Sequence, residues 1–289
     1  MLNAANARKL ARASRRTARF PLALLKSFRP LFRRPGKIPL HHFRQKVNLL
    51  QSTERFLLKT AANPFELRQA LQLRHEVFYR ELQSKENADR LDVDELDLVC
   101  DHLLIIDKVS GLVVGTYRLI SSNFSDRFYS EGEFSIDEIL RLPGSKLELG
   151  RACIHQNYRN GAIINLLWKG IAEYIQKTGA KYLFGCASVQ TTDLLEASSL
   201  LSDLRERGLS SSEYGVRPTP EYRSELFEVG SREGTKMELP PLIQSYILAG
   251  TKFYGEPALD RDFGCYDFFM MLKVDEMSKL FRRRYKMDA

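Results

Sequence analysis

At 289 residues, 44% hydrophobic and 28% charged, the chain has the composition of a soluble globular protein and enough length to bury a large core. Its net charge of +8 comes from one end: thirteen of the 44 Lys and Arg residues, and none of the 36 Asp and Glu residues, fall within residues 1–53, so the remainder is net acidic. The positive character therefore belongs to a tail on a mildly acidic body, and no nucleic-acid partner is expected; four cysteines without a C-x-x-C pair speak against a zinc site, and no apolar run approaches the roughly 18 residues of a membrane span.

From Leu10 to Leu31, Phe20, Leu24, Leu25 and Phe28 fall near helical spacing among Arg and Lys. Such a segment either lies on an anionic membrane, each basic group gaining about 1 kcal/mol from the surface potential, or is a disordered basic arm. Pro30, Pro35, Gly36 and Pro39 follow as a linker, so residues 1–53 read as an arm and 54–289 as one domain. Arg55 to Thr60 reads as a strand. Asn63-Pro-Phe-Glu66 is a helix start, with Asn63 as cap and Pro64 in the first turn, and the helix runs on through Phe78.

An acidic loop comes next, with Asp89, Asp92, Asp94, Glu95, Asp97 and Asp101 close together. His102 to Asp107 and Leu112 to Ile120 are strands joined through Ser110-Gly111, a hairpin signal. Phe134 to Leu142 is a short helix or loop that Pro143-Gly144 closes. The central stretch, Lys146-Leu-Glu-Leu-Gly-Arg-Ala-Cys-Ile-His155, alternates as a strand and leads through Asn157 to Gly161 into a helix ending near Gly179. A strand at Lys181 to Ala187, helices at Thr191 to Leu209 and Leu242 to Gly250, a buried strand at Cys265 to Val274 and a basic terminal helix complete the chain. Early hairpins followed by strand-helix-strand predict an α/β (α+β) domain, its mixed central sheet carrying helices on both faces.

Glu148 and Arg151 face opposite sides of a regular strand, but a bulge, which Gly150 permits, re-aims a carboxylate and frees backbone N–H groups for a developing oxyanion. Otherwise the two residues make a structural ion pair. The acidic loop is either a pocket for a cationic amine or solvated surface. No metal site is expected: Asp92 to Asp97 lacks the glycine and terminal glutamate of a calcium loop, and His75, His102 and His155 have no partner at metal spacing. Walker, Rossmann and Gly-x-Ser-x-Gly motifs are absent, and no histidine is placed to activate Cys153 as a nucleophile.

Arg74-His-Glu-Val-Phe78, Asp94-Glu-Leu-Asp97, Arg118 and Glu148-Leu-Gly-Arg151 resemble, in order and spacing, the acyl-homoserine-lactone synthases of the wider GNAT-like acyltransferase fold. Val99 to Asp107, Val114 to Leu119, Leu147 to His155, Leu166 to Ala172 and Tyr182 to Ser188 are more similar still to the bacterial ornithine N-acyltransferases, over about residues 54–275. The resemblance implies transfer of a fatty, often 3-hydroxylated, acyl chain from acyl carrier protein to the α-amine of an amino acid, ornithine giving a lyso-ornithine lipid. No tightly bound cofactor is implied, since the donor's phosphopantetheine thioester arrives with the carrier.

Under this reading Glu148 is the base, Arg151 stands beside it, and backbone near Cys153 steadies the oxyanion. Arg74, Phe78, Asp94, Asp97, Asp101 and Arg118 bind the acceptor or brace its site. Arg159, Asn160, Gly161 and Lys169 meet the carrier or its pantetheine. Ser84 stands where the lactone synthases carry a tryptophan that helps hold S-adenosylmethionine, which weighs against a lactone product. Ala162 and Ile164 replace glycines of coenzyme-A-using relatives, which suits a carrier-protein donor. The alternatives are another acceptor such as glycine, lysine or glutamine, an autoinducer synthase, and a non-catalytic acyl- or membrane-binding protein. The expected location is cytoplasmic, peripheral on the inner membrane if the arm binds it.

Overall fold

The computed structural model describes residues 38–227 and 239–287. The arm reading for residues 1–37 therefore lies outside the described residues. In chain order the strands are β1 (Leu50–Ser52), β2 (Phe56–Thr60), β3 (Asp101–Asp107), β4 (Val113–Ser121), β5 (Phe134–Ser135), β6 (Ser145–Ile154), β7 (Ala180–Val189), β8 (Ser210–Ser211), β9 (Arg217–Pro218), β10 (Lys252–Tyr254), β11 (Ala258–Asp260) and β12 (Cys265–Lys273). The α-helices are α1 (Pro64–His75), α2 (Asp137–Arg141), α3 (Ala162–Thr178), α4 (Leu194–Glu206), α5 (Pro241–Ala249) and α6 (Lys279–Tyr285).

One mixed sheet runs β1-β2-β3-β4-β6-β7-β12-β10-β8, with β11 on β12, while β5 and β9 pair separately. Side-chain alternation on β3 divides the core: Leu103 and Ile105 face α3, α4 and α5, whereas Leu104 faces α1. Helix α1 begins where expected, the Asn63 side chain accepting the N–H groups of Phe65 and Glu66 at 3.0 Å each. Its last turn widens into a π-helical turn, Glu76–Glu81, which carries Phe78 to the cleft described below.

Residues 40–52, assigned above to the linker, pack on the domain. Phe43 and Leu49 are buried, β1 pairs with β2, and the Asp101 carboxylate accepts the N–H groups of Lys46 and Val47 at 2.8 and 2.9 Å. The domain thus begins earlier than residue 54. Proline spacing marked the linker, but the apolar side chains after Pro39 and a buried carboxylate pin the chain down.

Pairs in the main sheet are antiparallel except β6–β7 and β8–β10. The β6–β7 ladder runs only from Ser145 opposite Ala180 to Glu148 opposite Phe184, although β6 continues to Ile154 and β7 to Val189. Beyond Glu148 the strands splay, β6 staying with β4 and β7 with β12. Gly185 sits at the apex, where a Cβ would stand 2.2 Å from the Leu149 carbonyl oxygen. Gly185→Ala should therefore cost about 2 kcal/mol or more by prising the strands apart. Thermal denaturation should show a drop of roughly 5 °C; an unchanged melting temperature would refute the close approach.

Candidate active site

The splay opens a cavity of about 260 Å³, one wall formed by Leu149 to Ala152 of β6 and the other by Cys186 to Ser188 of β7. The β4–β6 register slips beside it. Thr116 faces Cys153 and Arg118 faces Gly150, so Arg151 and Ala152 share the position opposite Tyr117. The expected bulge is present, yet its left-handed residue is Arg151, with φ +50°, and not Gly150. A non-glycine residue there costs on the order of 1 kcal/mol. Stacking and charge offset it: the Arg151 guanidinium lies 4.6 Å from the Tyr129 ring, 5.2 Å from the Phe263 ring and 3.4 Å from Asp92. The bulge brings Arg151 and Glu148, three residues apart, into the same cavity lining.

The His155 N–H donates to the Val114 carbonyl at 3.0 Å. Hydrogen bonding in an antiparallel ladder alternates with a period of two, so the Cys153 N–H also points to β4 and away from the cleft. The backbone N–H expected at Cys153 therefore does not face the cleft, and the ladder is interrupted instead at Arg151 and Ala152. The Cys153 side chain packs in the α1-side core, and burial pushes its thiol well up, which leaves it un-ionised.

Behind the cavity, three arginines meet three aspartates. Arg74, fully buried, binds Asp92 through Nε at 2.7 Å and Asp97 through Nη1 at 2.7 Å; Arg118 binds Asp94 at 2.6 Å and Asp97 at 3.2 Å; Arg151 reaches Asp92 and, at 3.8 Å, Asp94. Burial alone would raise the Asp97 carboxyl, but Arg74 and Arg118 hold it down at about 2. The acidic loop is therefore neutralised by partners from α1, β4 and β6 and leaves little charge for a ligand. Arg118 keeps an opening: it lines the cavity, and its Nε and Nη2, buried, have no hydrogen-bond partner. Asp101 does not line the cavity, since it holds the N-terminal segment and accepts the Tyr174 hydroxyl at 2.9 Å.

Glu148 makes no ion pair with Arg151. Its carboxylate accepts the N–H of Tyr129 at 2.6 Å, the N–H of Ser130 at 2.7 Å and the Ser130 hydroxyl at 2.5 Å, so it caps the turn Tyr129–Gly132. Burial raises its pKa, against these hydrogen bonds, which favour the charged form. At the far wall sits a carboxyl group of residues that the sequence reading missed: Asp260, Asp267 and, just behind them, Glu133. An aspartate inside the apolar run Cys265 to Leu272 was the available signal.

The residues assigned to the carrier lie at and beyond the start of α3. Arg159 bonds Glu81 at 2.5 Å, Asn160 accepts the Ala162 N–H at 3.1 Å, and Gly161 is left-handed with φ +86°. Lys169 lines a separate surface cleft with Asn165 and Arg284. Among the described residues, Asp97, Cys100 and His102 approach as metal ligands would, as do Asp260, Cys265 and Asp267. In the first group Asp97 is claimed by arginines, and burial lowers His102 to about 4, so the imidazole is neutral and bonds the Asp97 carbonyl. No helix among the described residues is long and apolar enough to cross a membrane.

Residues 73–169 match the family model described as an acetyltransferase (GNAT) domain. The L-ornithine N(alpha)-acyltransferase of Rhizobium meliloti (strain 1021) is 32% identical over 249 residues, covering 80% of this chain and 84% of that protein. That of Rhodobacter capsulatus is 32% identical over 246 residues, covering 79% and 93%. Among solved structures, a CoA-dependent acyl-homoserine lactone synthase is similar at TM-score 0.43 and 17% identity, over 77% of this chain and 83% of that one.

Proposed function

This chain belongs to the L-ornithine N(alpha)-acyltransferases and is an acyltransferase; from that premise we propose that it moves a fatty acyl chain from an acyl-carrier-protein thioester to the α-amine of ornithine, giving a lyso-ornithine lipid. The observation that carries the reading is the splay of β6 and β7 with a bulge beside a buried carboxylate. Exposed strand backbone in the splay suits the amides of a pantetheine arm, which would lie there as an added strand. Glu148, directly or across one water, takes a proton from the acceptor ammonium. The amine nitrogen attacks the thioester carbon, bulge N–H groups steady the oxyanion, the C–N bond forms, and the C–S bond breaks, the sulfur leaving as a thiol with the proton that the nitrogen sheds on becoming an amide.

The two unpartnered nitrogens of Arg118 suit the acceptor's carboxylate, a charge-assisted pair in a dry site. Two features favour a carrier-protein donor. Asn160 already occupies the Ala162 N–H at the start of α3, and Ala162 and Ile164 stand in place of glycines, so little remains to cradle a diphosphate. The basic segment 1–37 is proposed to meet anionic lipid, where the product belongs.

Lipid mass spectrometry of a bacterial host without ornithine lipids tests the reaction and the acceptor together. Expression of the full chain should yield ornithine carrying one amide-linked acyl group. A different acylated amino acid would replace the acceptor, and the absence of any new acyl-amine would overturn the reading.

A further inference from the structure

We propose that Glu133, Asp260 and Asp267 form a binding site for the acceptor's side-chain ammonium, an inference that rests on the ornithine reading above and extends it to a specificity subsite. Asp267 lies on β12 opposite Ser188 of β7, and the Ser188 hydroxyl donates to its Oδ1 at 2.5 Å. Asp260, at the end of β11, accepts the N–H groups of Asp262 and Phe263 through Oδ1 at 2.9 and 3.0 Å. Both line the cavity that Arg118 and Glu148 line from the other side. Glu133 follows directly on the turn that Glu148 caps. It is 1% exposed and lies beside the side chains of Tyr129, Cys186 and Asp267, with no hydrogen bond of good geometry to its oxygens and no cation among these neighbours.

The contrast with the first acidic group decides the argument. Asp92, Asp94 and Asp97 are matched one for one by guanidinium groups. Among the described residues, no Lys or Arg forms an ion pair with Glu133, Asp260 or Asp267. Arg151 acts on Asp267 only at longer range. Three buried carboxyls, two lining the cavity and one behind them, with no Lys or Arg paired to them, are unfavourable as ions until a cation arrives.

A primary ammonium entering the group supplies the missing positive charge and three donors for the carboxylate oxygens. Ornithine has the matching pattern of charge. Its carboxylate would meet Arg118, its α-amine would face the splay beside Glu148, and its side-chain ammonium would reach the far wall. A neutral acceptor would leave these carboxyls unpaired, which is how a buried polar site rejects an analogue.

The test compares ornithine with norvaline, the same side chain without the ammonium, as acceptors for the full-length enzyme and its Asp267→Asn and Glu133→Gln variants. The wild type should favour ornithine, and each variant should reduce the ratio of kcat/KM for ornithine to that for norvaline by about 10²-fold, mainly through KM. Equal losses on both acceptors, or an unchanged ratio in a folded variant, would overturn the proposal. Loss of ornithine preference on adding EDTA would also overturn it, in favour of a metal ion held by Asp260, Cys265 and Asp267. Failure of the wild type to acylate ornithine at all would instead strike the reading of the reaction.

Discussion

Glu148→Gln is expected to lower kcat by about 10²-fold or more, because an amide cannot accept the proton that must leave the acceptor nitrogen. Glutamine is nearly isosteric and retains one carbonyl oxygen for the Tyr129 or Ser130 N–H, so the fold should survive. A loss of activity alone would not separate a base from a brace, since Glu148 also caps the Tyr129–Gly132 turn. The pH profile separates them. With Glu148 as base, wild-type kcat at saturating acceptor falls on the acid side as the buried, raised carboxyl takes a proton, and the variant loses that limb. A variant that keeps the acid limb while losing rate would make Glu148 a positioning residue.

Arg74→Ala should be the most destabilising single change near the site. It removes the partner shared by Asp92 and Asp97, both buried, and breaking a buried pair from one side costs about 3–5 kcal/mol. For a domain of this size that is a fall in melting temperature on the order of 10 °C. The sign of the pH dependence follows from Asp97. Its carboxyl is held at about 2 in the folded protein, below its unfolded value, so its contribution is complete above about pH 4 and is lost as pH falls toward 2. Urea denaturation should therefore show the deficit of the variant in full at pH 7 and a smaller deficit at pH 3. A deficit independent of pH would mean that lost packing, and not charge, is the cause.

Local order was legible where one stretch of chain decides it. Asn63-Pro64-Phe65-Glu66 carries its own cap, and Gly179 and Gly250 end helices wherever they are placed. The bulge was legible as a possibility, because a carboxylate and a guanidinium three apart on a strand meet only if the pleat is broken. That Arg151 and not Gly150 takes the left-handed backbone was not legible, since Tyr129 and Phe263 decide it from 22 and 112 residues away in sequence.

The acidic loop misled for a related reason. Its charges are plain in the sequence, but their neutralisation depends on Arg74, Arg118 and Arg151, which come from a helix and two strands. Glu133 and Asp267 are the converse: separated by most of the domain, each looks ordinary alone, and only the β7–β12 pairing puts Asp267 at the wall of the cleft.

The parting of β6 and β7 bears on how a sheet can carry open strand edges without offering them to another folded molecule. An unpaired strand at the rim of a sheet invites the strand of any neighbouring molecule, and proteins blunt such rims to avoid aggregation. Here the open edges are a few residues long and lie in the middle of the sheet, each backed by a paired neighbour, β4 on one side and β12 on the other. A folded protein's strand is too broad to enter between them. A thin, flexible chain offering amides, such as the pantetheine arm proposed above, meets no such bar, so a gap of this kind would select by cross-section before any side chain is read.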